Sequence, residues 1–345
     1  MLNNYLKKTL ILIIILILCI PIASLFIKSE PQNNEKYVFD EIKEEVIDNN
    51  NDNIEIDDIA PYYQESTLNV AAEVNALSDD YVSFIVVTDT HGTKNKNNSQ
   101  NIARYLLKNT KADRLFHLGD SVASTWNESD YRLYFDSFNN CKQQVFYTLG
   151  NHETYESTNN DIEMIYNDLL LCKEYLHGSP EKFYYYFDDV ESNIRYLIIN
   201  TSDTSNEQIE WINKSVKLPS DDWKLIVFGH MDIIENDPIM WKWVAPMSKD
   251  IADALSSTNG TIVGYFCGHE HCDLINKVED KFYEIILLND SCEADDTFDE
   301  IINPERIEGT NSENAISVVS INTVDGSVEI KRIGAGENLT YNYFD

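Results

Sequence analysis

The chain has 345 residues, 43% hydrophobic and 25% charged, enough to bury the core of one large α/β domain or two small ones. Its 26 Lys and Arg face 59 Asp and Glu, a formal net charge of -33 that repels polyanions and excludes tracking along nucleic acid. A small phosphorylated substrate stays open, because bound divalent cations can reverse the local sign of charge.

The first 28 residues stand apart. Lys7 and Lys8 precede an uncharged apolar run from Leu10 to Ile27, closed by Lys28. As a helix the run would measure roughly 27 Å at ~1.5 Å per residue, close to the ~30 Å core of a bilayer. This predicts an N-terminal membrane helix and a membrane-anchored protein, with everything after the span outside the cytoplasm because lysines before a span favour the inside. The alternative is a signal peptide, with Ala23 and Ser24 as small residues near a cleavage site and a secreted product. Residues 29–66 read as an acidic, Asn-rich linker: 11 acids and 2 lysines stand between Ser29 and Asp58. That composition buries too little apolar surface to offset chain entropy. Residues 67–345 read as the folded domain. Five cysteines lie beyond the apolar run, an odd number whose spacing predicts no disulfide framework.

Residues 68–77 predict a short helix and 82–88 an apolar strand. A helix follows over 99–108, with Ile102, Tyr105 and Leu106 on one face, then a strand over 114–118. Tyr131, Tyr134, Phe135 and Phe138 mark the next helix, 144–149 the next strand, and Ile162, Ile165, Tyr166 and Leu169 another helix. The steps from Asp89 to Asp120 and from Asp120 to Asn151 are both 31 residues, the length of a βαβ crossover in a parallel sheet. Residues 183–187 and 195–200 predict a hairpin, 207–216 a helix, and 224–228 and 261–267 further strands. Later strands over 282–288, 315–322 and 327–332 follow, the last two joined through Asp325-Gly326.

Five of the strands end alike, in a loop bearing His, Asp or Asn. They are FIVVTDTHG (Asp89, His91), FHLGD (Asp120), VFYTLGNHE (Asn151, His152, Glu153), KLIVFGH (His230) and IVGYFCGHEH (His269, His271). Ligands in open α/β sheets collect at the carboxyl ends of strands, so these loops should converge on one crevice. Four of the five loops open with Gly, which turns sharply and has no Cβ to obstruct a ligand. Five of the seven histidines stand in these loops, and imidazole with carboxylate suits Mn, Fe, Zn, Co or Ni. His117, inside an apolar strand, reads as a hydrogen-bonded core residue, and His177 as a loop residue. Cys267 and Cys272 read as buried small residues rather than ligands. The insert 231–256, with Trp241, Trp243 and Pro246, reads either as a rim that stacks on a base or sugar or as packing on the domain.

Asp-x-His, Gly-Asp, Gly-Asn-His-Glu, Gly-His and Gly-His-x-His, in this order over about residues 80–335, resemble the calcineurin-like metallophosphoesterase family. The resemblance implies an α/β fold, a four-layer αββα sandwich of two mixed β-sheets. It implies two divalent transition metal ions, one held by Asp89, His91 and His271, the other by Asn151, His230 and His269, with Asp120 bridging both. The implied activity is hydrolysis of a phosphate mono- or diester by a hydroxide held on the two metals. His152 would be the general acid or bind the phosphate, oriented by Glu153. The expected partners are a phosphorylated small molecule or cell-surface substrate and, from the N-terminal apolar run rather than from the resemblance, the membrane. The alternatives are a nucleotidase or cyclic-nucleotide phosphodiesterase subtype, or a catalytically silent extracytoplasmic binding module that keeps the fold. One departure bears on subfamily and substrate: Ser121 to Ser124 follow Gly119-Asp120, where many members carry an Asp or Gly.

Overall fold

A computed structural model describes residues 54–91, 98–121, 134–138, 140–156, 159–235, 244–292 and 303–345. All belong to the unit Asp48–Asp345. The first sheet holds β1 (Tyr81–Val87), β2 (Leu115–His117), β3 (Val145–Tyr147), β11 (Ala315–Asn322), β12 (Ser327–Gly334) and β13 (Leu339–Asn342), in the order β13-β12-β11-β1-β2-β3. The second is β4 (His177–Ser179), β5 (Tyr184–Asp189), β6 (Ile194–Ile198), β7 (Lys224–Phe228), β8 (Thr261–Cys267), β9 (Leu274–Val278) and β10 (Phe282–Ile286), in the order β4-β5-β6-β7-β8-β10-β9. Both sheets are mixed. β1, β2 and β3 run parallel, as the two equal 31-residue steps require, while β11 joins β1 antiparallel. In the second sheet β6, β7, β8 and β10 are parallel and β5 and β9 antiparallel to their neighbours.

The central strands are buried on both faces, which is why they read as continuous apolar runs. Between the sheets Phe84, Phe116 and Phe146 meet Phe187, Tyr196, Phe228 and Phe266, and the Phe116 and Phe228 rings stack with centroids 3.8 Å apart. Burying each ring contributes roughly 1.5–3 kcal/mol. The alternate residues of β7, Leu225 and Val227, face outward into a second layer of core.

The helices are α1 (Pro61–Ala76), α2 (Asn98–Asn109), α3 (Asn159–Leu169), α4 (Asn206–Ser215) and α5 (Ser248–Leu255). Ile102, Ala103, Leu106 and Leu107 give α2 its buried face. Ser205 caps α4 by accepting the Gln208 N–H, and Ile212 of α4 with Ile251 and Leu255 of α5 cover the outer face of the second sheet. Helices outside two mixed sheets make the αββα sandwich.

The N-terminal expectations need correction. Among the described residues no helix is long and apolar enough to cross a membrane. The longest of them, α1, has 16 residues, would reach roughly 24 Å, and carries Glu65 and Glu73. The membrane helix, the membrane as partner and the membrane-anchored location are therefore not retained, and residues 10–27 lie outside the described residues. The folded chain also starts earlier than residue 67. Pro61 opens α1, and Ile54, Ile59 and Tyr63 are buried within the stretch expected as linker. Tyr63 accepts the Asn314 N–H through its hydroxyl, 2.8 Å away, so this segment is tied to the start of β11. The expected helix around Tyr131 falls partly on residues 122–133, outside the described residues, as do Trp241 and Trp243. The later part of the 231–256 insert forms α5 and packs on the domain.

Candidate metal centre

The loops after β1, β2, β3, β7 and β8 meet at the carboxyl ends of these strands, β1 to β3 running parallel in one sheet and β7 and β8 in the other. Three groups have ligand atoms within 4.8 Å of one another: Asp89, His91 and His271; Asp120, His230 and His269; and His91, Asp120 and His152. Asn151 Oδ1 lies 3.0 Å from His230 Nε2, adding a fourth donor to the second group. The third group shares Asp120 and His91 with the others and brings in His152, whose side chain is 24% exposed. All seven residues expected as ligands thus stand together, with His152 at their open side.

Each carboxylate spends one oxygen on the scaffold and presents the other. Asp89 Oδ2 accepts from Thr88 Oγ1 at 2.6 Å and from the His269 N–H at 2.9 Å. Its Oδ1 is buried with no hydrogen-bond partner and faces His271 Nε2 at 3.5 Å and His91 Nε2 at 3.7 Å. Asp120 Oδ1 accepts the His152 N–H at 2.8 Å, while Oδ2 lies 3.1 Å from His230 Nε2 and 3.6 Å from His91 Nε2. An acceptor buried without a donor costs about 1–3 kcal/mol, and a cation at Asp89 Oδ1 would remove that penalty. With the two ligand groups either side of Asp120, the donor set fits two divalent ions.

The backbone is bent to this purpose. Asp89, His91, Asp120, His269 and His271 all have positive φ, from 38° to 69°. Non-glycine residues hold such values at a cost of order 1–3 kcal/mol each and cluster at functional sites. Glycine is required where the loops touch: a Cβ on Gly150 would collide with Asp120 Oδ1, and one on Gly268 with Thr88 Oγ1 and Asp89 Oδ2.

Charge follows from these contacts. Burial opposes ionisation of Asp89, but His230, His271 and His91 outweigh it and hold the carboxyl well below its usual range. Asp120 is likewise lowered, burial being overcome chiefly by His230. Burial also opposes the charge on His230, yet Asp120 and Asp89 raise its pKa to about 10, so without a metal a proton neutralises part of the cluster. His230 Nδ1 lies 2.8 Å from the Leu118 carbonyl, which leaves Nε2 aimed at the centre. Burial and the neighbouring His230 push His269 down to about 4, keeping its lone pair available.

Glu153 has a part that the resemblance does not indicate. Its buried carboxylate accepts from the N–H groups of Gly150, Asp120 and Ser121 and from Ser121 Oγ, at 2.7–2.8 Å. It braces the loops after β2 and β3, and none of these four bonds reaches the His152 ring. Burial and the nearby Asp120 raise its pKa, while Ser121 and Gly150 pull it down. Thr88 is the other supporting residue that sequence reasoning misses, since nothing in a Thr before Asp89 signals its contact. His117 is a buried core residue that accepts the Gly119 N–H, and burial lowers it to about 3. His177 is exposed and opens the edge strand β4 rather than lying in a loop. Cys267 and Cys272 are not joined in a disulfide and are fully buried.

A family model described as calcineurin-like phosphoesterase matches residues 82–273. No curated protein matches the chain. Among solved structures it is similar to a dimetal phosphatase from Danio rerio, at 12% identity and a TM-score of 0.53, over 76% of this chain and 98% of that one. It is also similar to a protein of Thermus thermophilus, at 9% identity and a TM-score of 0.41, over 76% and 98% of the two chains. At such identities the first likeness supports the fold alone. The family match and the clustered side chains together define a metal-dependent phosphoesterase-type active site, consistent with a dinuclear metal centre.

Proposed function

We propose that this chain, which belongs to the calcineurin-like phosphoesterase family, hydrolyses a phosphate mono- or diester with two divalent transition metal ions bound by its clustered loops. The observation that carries the reading is the pairing of Asp89, His91 and His271 with Asp120, His230 and His269, each Asp presenting one oxygen to the cluster. In this reading Asp89, His91 and His271 hold one ion, Asn151, His230 and His269 the other, and Asp120 joins them. When bound, the ions supply positive charge that binds phosphate oxygens and acidifies water.

The chain's own groups do the rest. Asp120 Oδ2, between His91 and His230, sets the spacing of the two halves. His152 stands at the open side with its Nε2 3.8 Å from Asp120 Oδ2, placed to pass a proton from that nitrogen to a departing alkoxide. The partly exposed imidazole of His152 meets substrate from solvent, whereas His230 is fully buried and serves the centre. The nucleotidase and cyclic-nucleotide phosphodiesterase subtypes fall within this reading. A binding module that takes up metal without turnover is the competing one. A panel of phosphomonoesters and phosphodiesters, assayed on metal-stripped full chain with Mn²⁺ added back, separates them: hydrolysis supports the enzyme, and two bound ions with no turnover of any ester support the module.

A further inference from the structure

Behind the centre a buried ion pair joins the two sheets. Arg332 Nη2 on β12 lies 2.6 Å from Asp273 Oδ1 at the start of β9, with side-chain exposures of 2% and 4%. Arg332 Nη1 donates to Ser317 Oγ at 2.6 Å, and its backbone N–H to Asn338 Oδ1. Asp273 Oδ1 also accepts the Leu288 N–H at 3.0 Å. Gly336, with φ of 86°, closes over the pair, and a Cβ there would press on Asp273 Oδ2.

The registers make this pair a strut. Ser317 on β11 is opposite Val86 of β1 on one side and Arg332 of β12 on the other. Val86 stands three residues before Asp89, and Asp273 two residues after His271. One row therefore runs from the strand carrying Asp89, across the first sheet to Arg332, and over to the loop carrying His271. Asp89 and His271 come from different sheets, yet their ligand atoms must stay 3.5 Å apart. A buried ion pair is a poor way merely to hold sheets together: removing two charges from water costs several kcal/mol per ion, and apolar residues of similar volume often hold as well or better. What a hydrogen-bonded pair adds is a fixed length and direction.

We propose that Arg332, acting through Asp273, is a positioning residue that sets the separation of Asp89 and His271 and so the affinity of the metal they share. The inference rests on the metal assignment above. The test is equilibrium binding of Co²⁺ to the full chain, counting equivalents and resolving the two affinities, with thermal unfolding of the metal-free protein alongside. The double variant Asp273→Asn/Arg332→Met removes both charges of the pair and keeps an acceptor for Leu288. It should unfold within a few degrees of wild type, bind one equivalent as wild type does, and bind the other roughly 10–100-fold more weakly. Arg332→Lys, which keeps the charge with a different reach, should fall between and serves if the double variant does not fold. A folded variant binding both equivalents with wild-type affinity would overturn the strut, and so would equal weakening of both sites, which marks general loosening. Wild-type chain that binds no Co²⁺ would instead refute the metal centre beneath it.

Discussion

Glu153→Gln changes one atom in a carboxylate surrounded by donors. Oε1 receives the Ser121 N–H and Oγ–H, and Oε2 receives the N–H groups of Asp120 and Gly150. The amide NH₂ fits best in place of Oε1, where the Ser121 hydroxyl can reverse and accept, but the Ser121 N–H is then left facing a donor. That orphan costs about 1–3 kcal/mol, and loss of charge from the two surviving bonds adds roughly 1 kcal/mol each, about 3–5 kcal/mol in all. For a domain of this size 1 kcal/mol moves the melting temperature by about 2–4 °C, so the variant should melt roughly 6–20 °C lower. The assay is thermal unfolding of the full chain in chelator at alkaline pH, which favours the ionised wild-type carboxylate. A metal titration should also show weaker binding, because the braced loops carry Asp120 and Asn151. An unchanged melting temperature with a loss of turnover only for poor leaving groups would refute the brace and support orientation of His152.

The other predictions are direct. Asp120→Asn should lose both tight metal binding and hydrolysis, measured by metal analysis and an ester assay, and a fully active variant would break the bridging assignment. His152→Ala should keep its metal while turnover drops by about 10²–10⁴-fold for alkyl phosphates, with nitrophenyl esters partly spared because nitrophenolate needs little protonation. Gly150→Ala places a methyl against Asp120 Oδ1 and should lower metal content in folded protein, seen by equilibrium dialysis. Burial pushes the Asp290 carboxyl up to about 7, so metal-free stability should fall as pH rises from about 4 to 7 and then level off; Asp290→Asn should flatten that slope in urea unfolding at pH 5 and 8.

The centre was legible because it is local: each strand end carries its ligands within a few residues, and parallel strands bring those ends together. The equal 31-residue steps placed β1, β2 and β3 side by side for the same reason. Supporting groups were not legible. Glu153 beside His152 suggests a partner of that ring, but its reach to Asp120 and Ser121 cannot be read from the sequence because it depends on the approach of two loops. Arg332 lies 59 residues beyond Asp273, and they meet only where β12 of one sheet approaches the segment that leads into β9 of the other. Charge density concealed part of the fold: the acids around Ile54 and Ile59 read as linker, although these two side chains are buried.

Metal-dependent turnover, measured against bound equivalents, tests the central claim most directly. Full chain stripped by chelation is titrated with Mn²⁺ while nitrophenyl phosphate and bis-nitrophenyl phosphate hydrolysis is followed and bound metal counted. The two ligand groups predict hydrolysis of at least one ester that stays low through the first equivalent and rises with the second. Two equivalents bound with neither ester hydrolysed, or hydrolysis indifferent to metal, would contradict it.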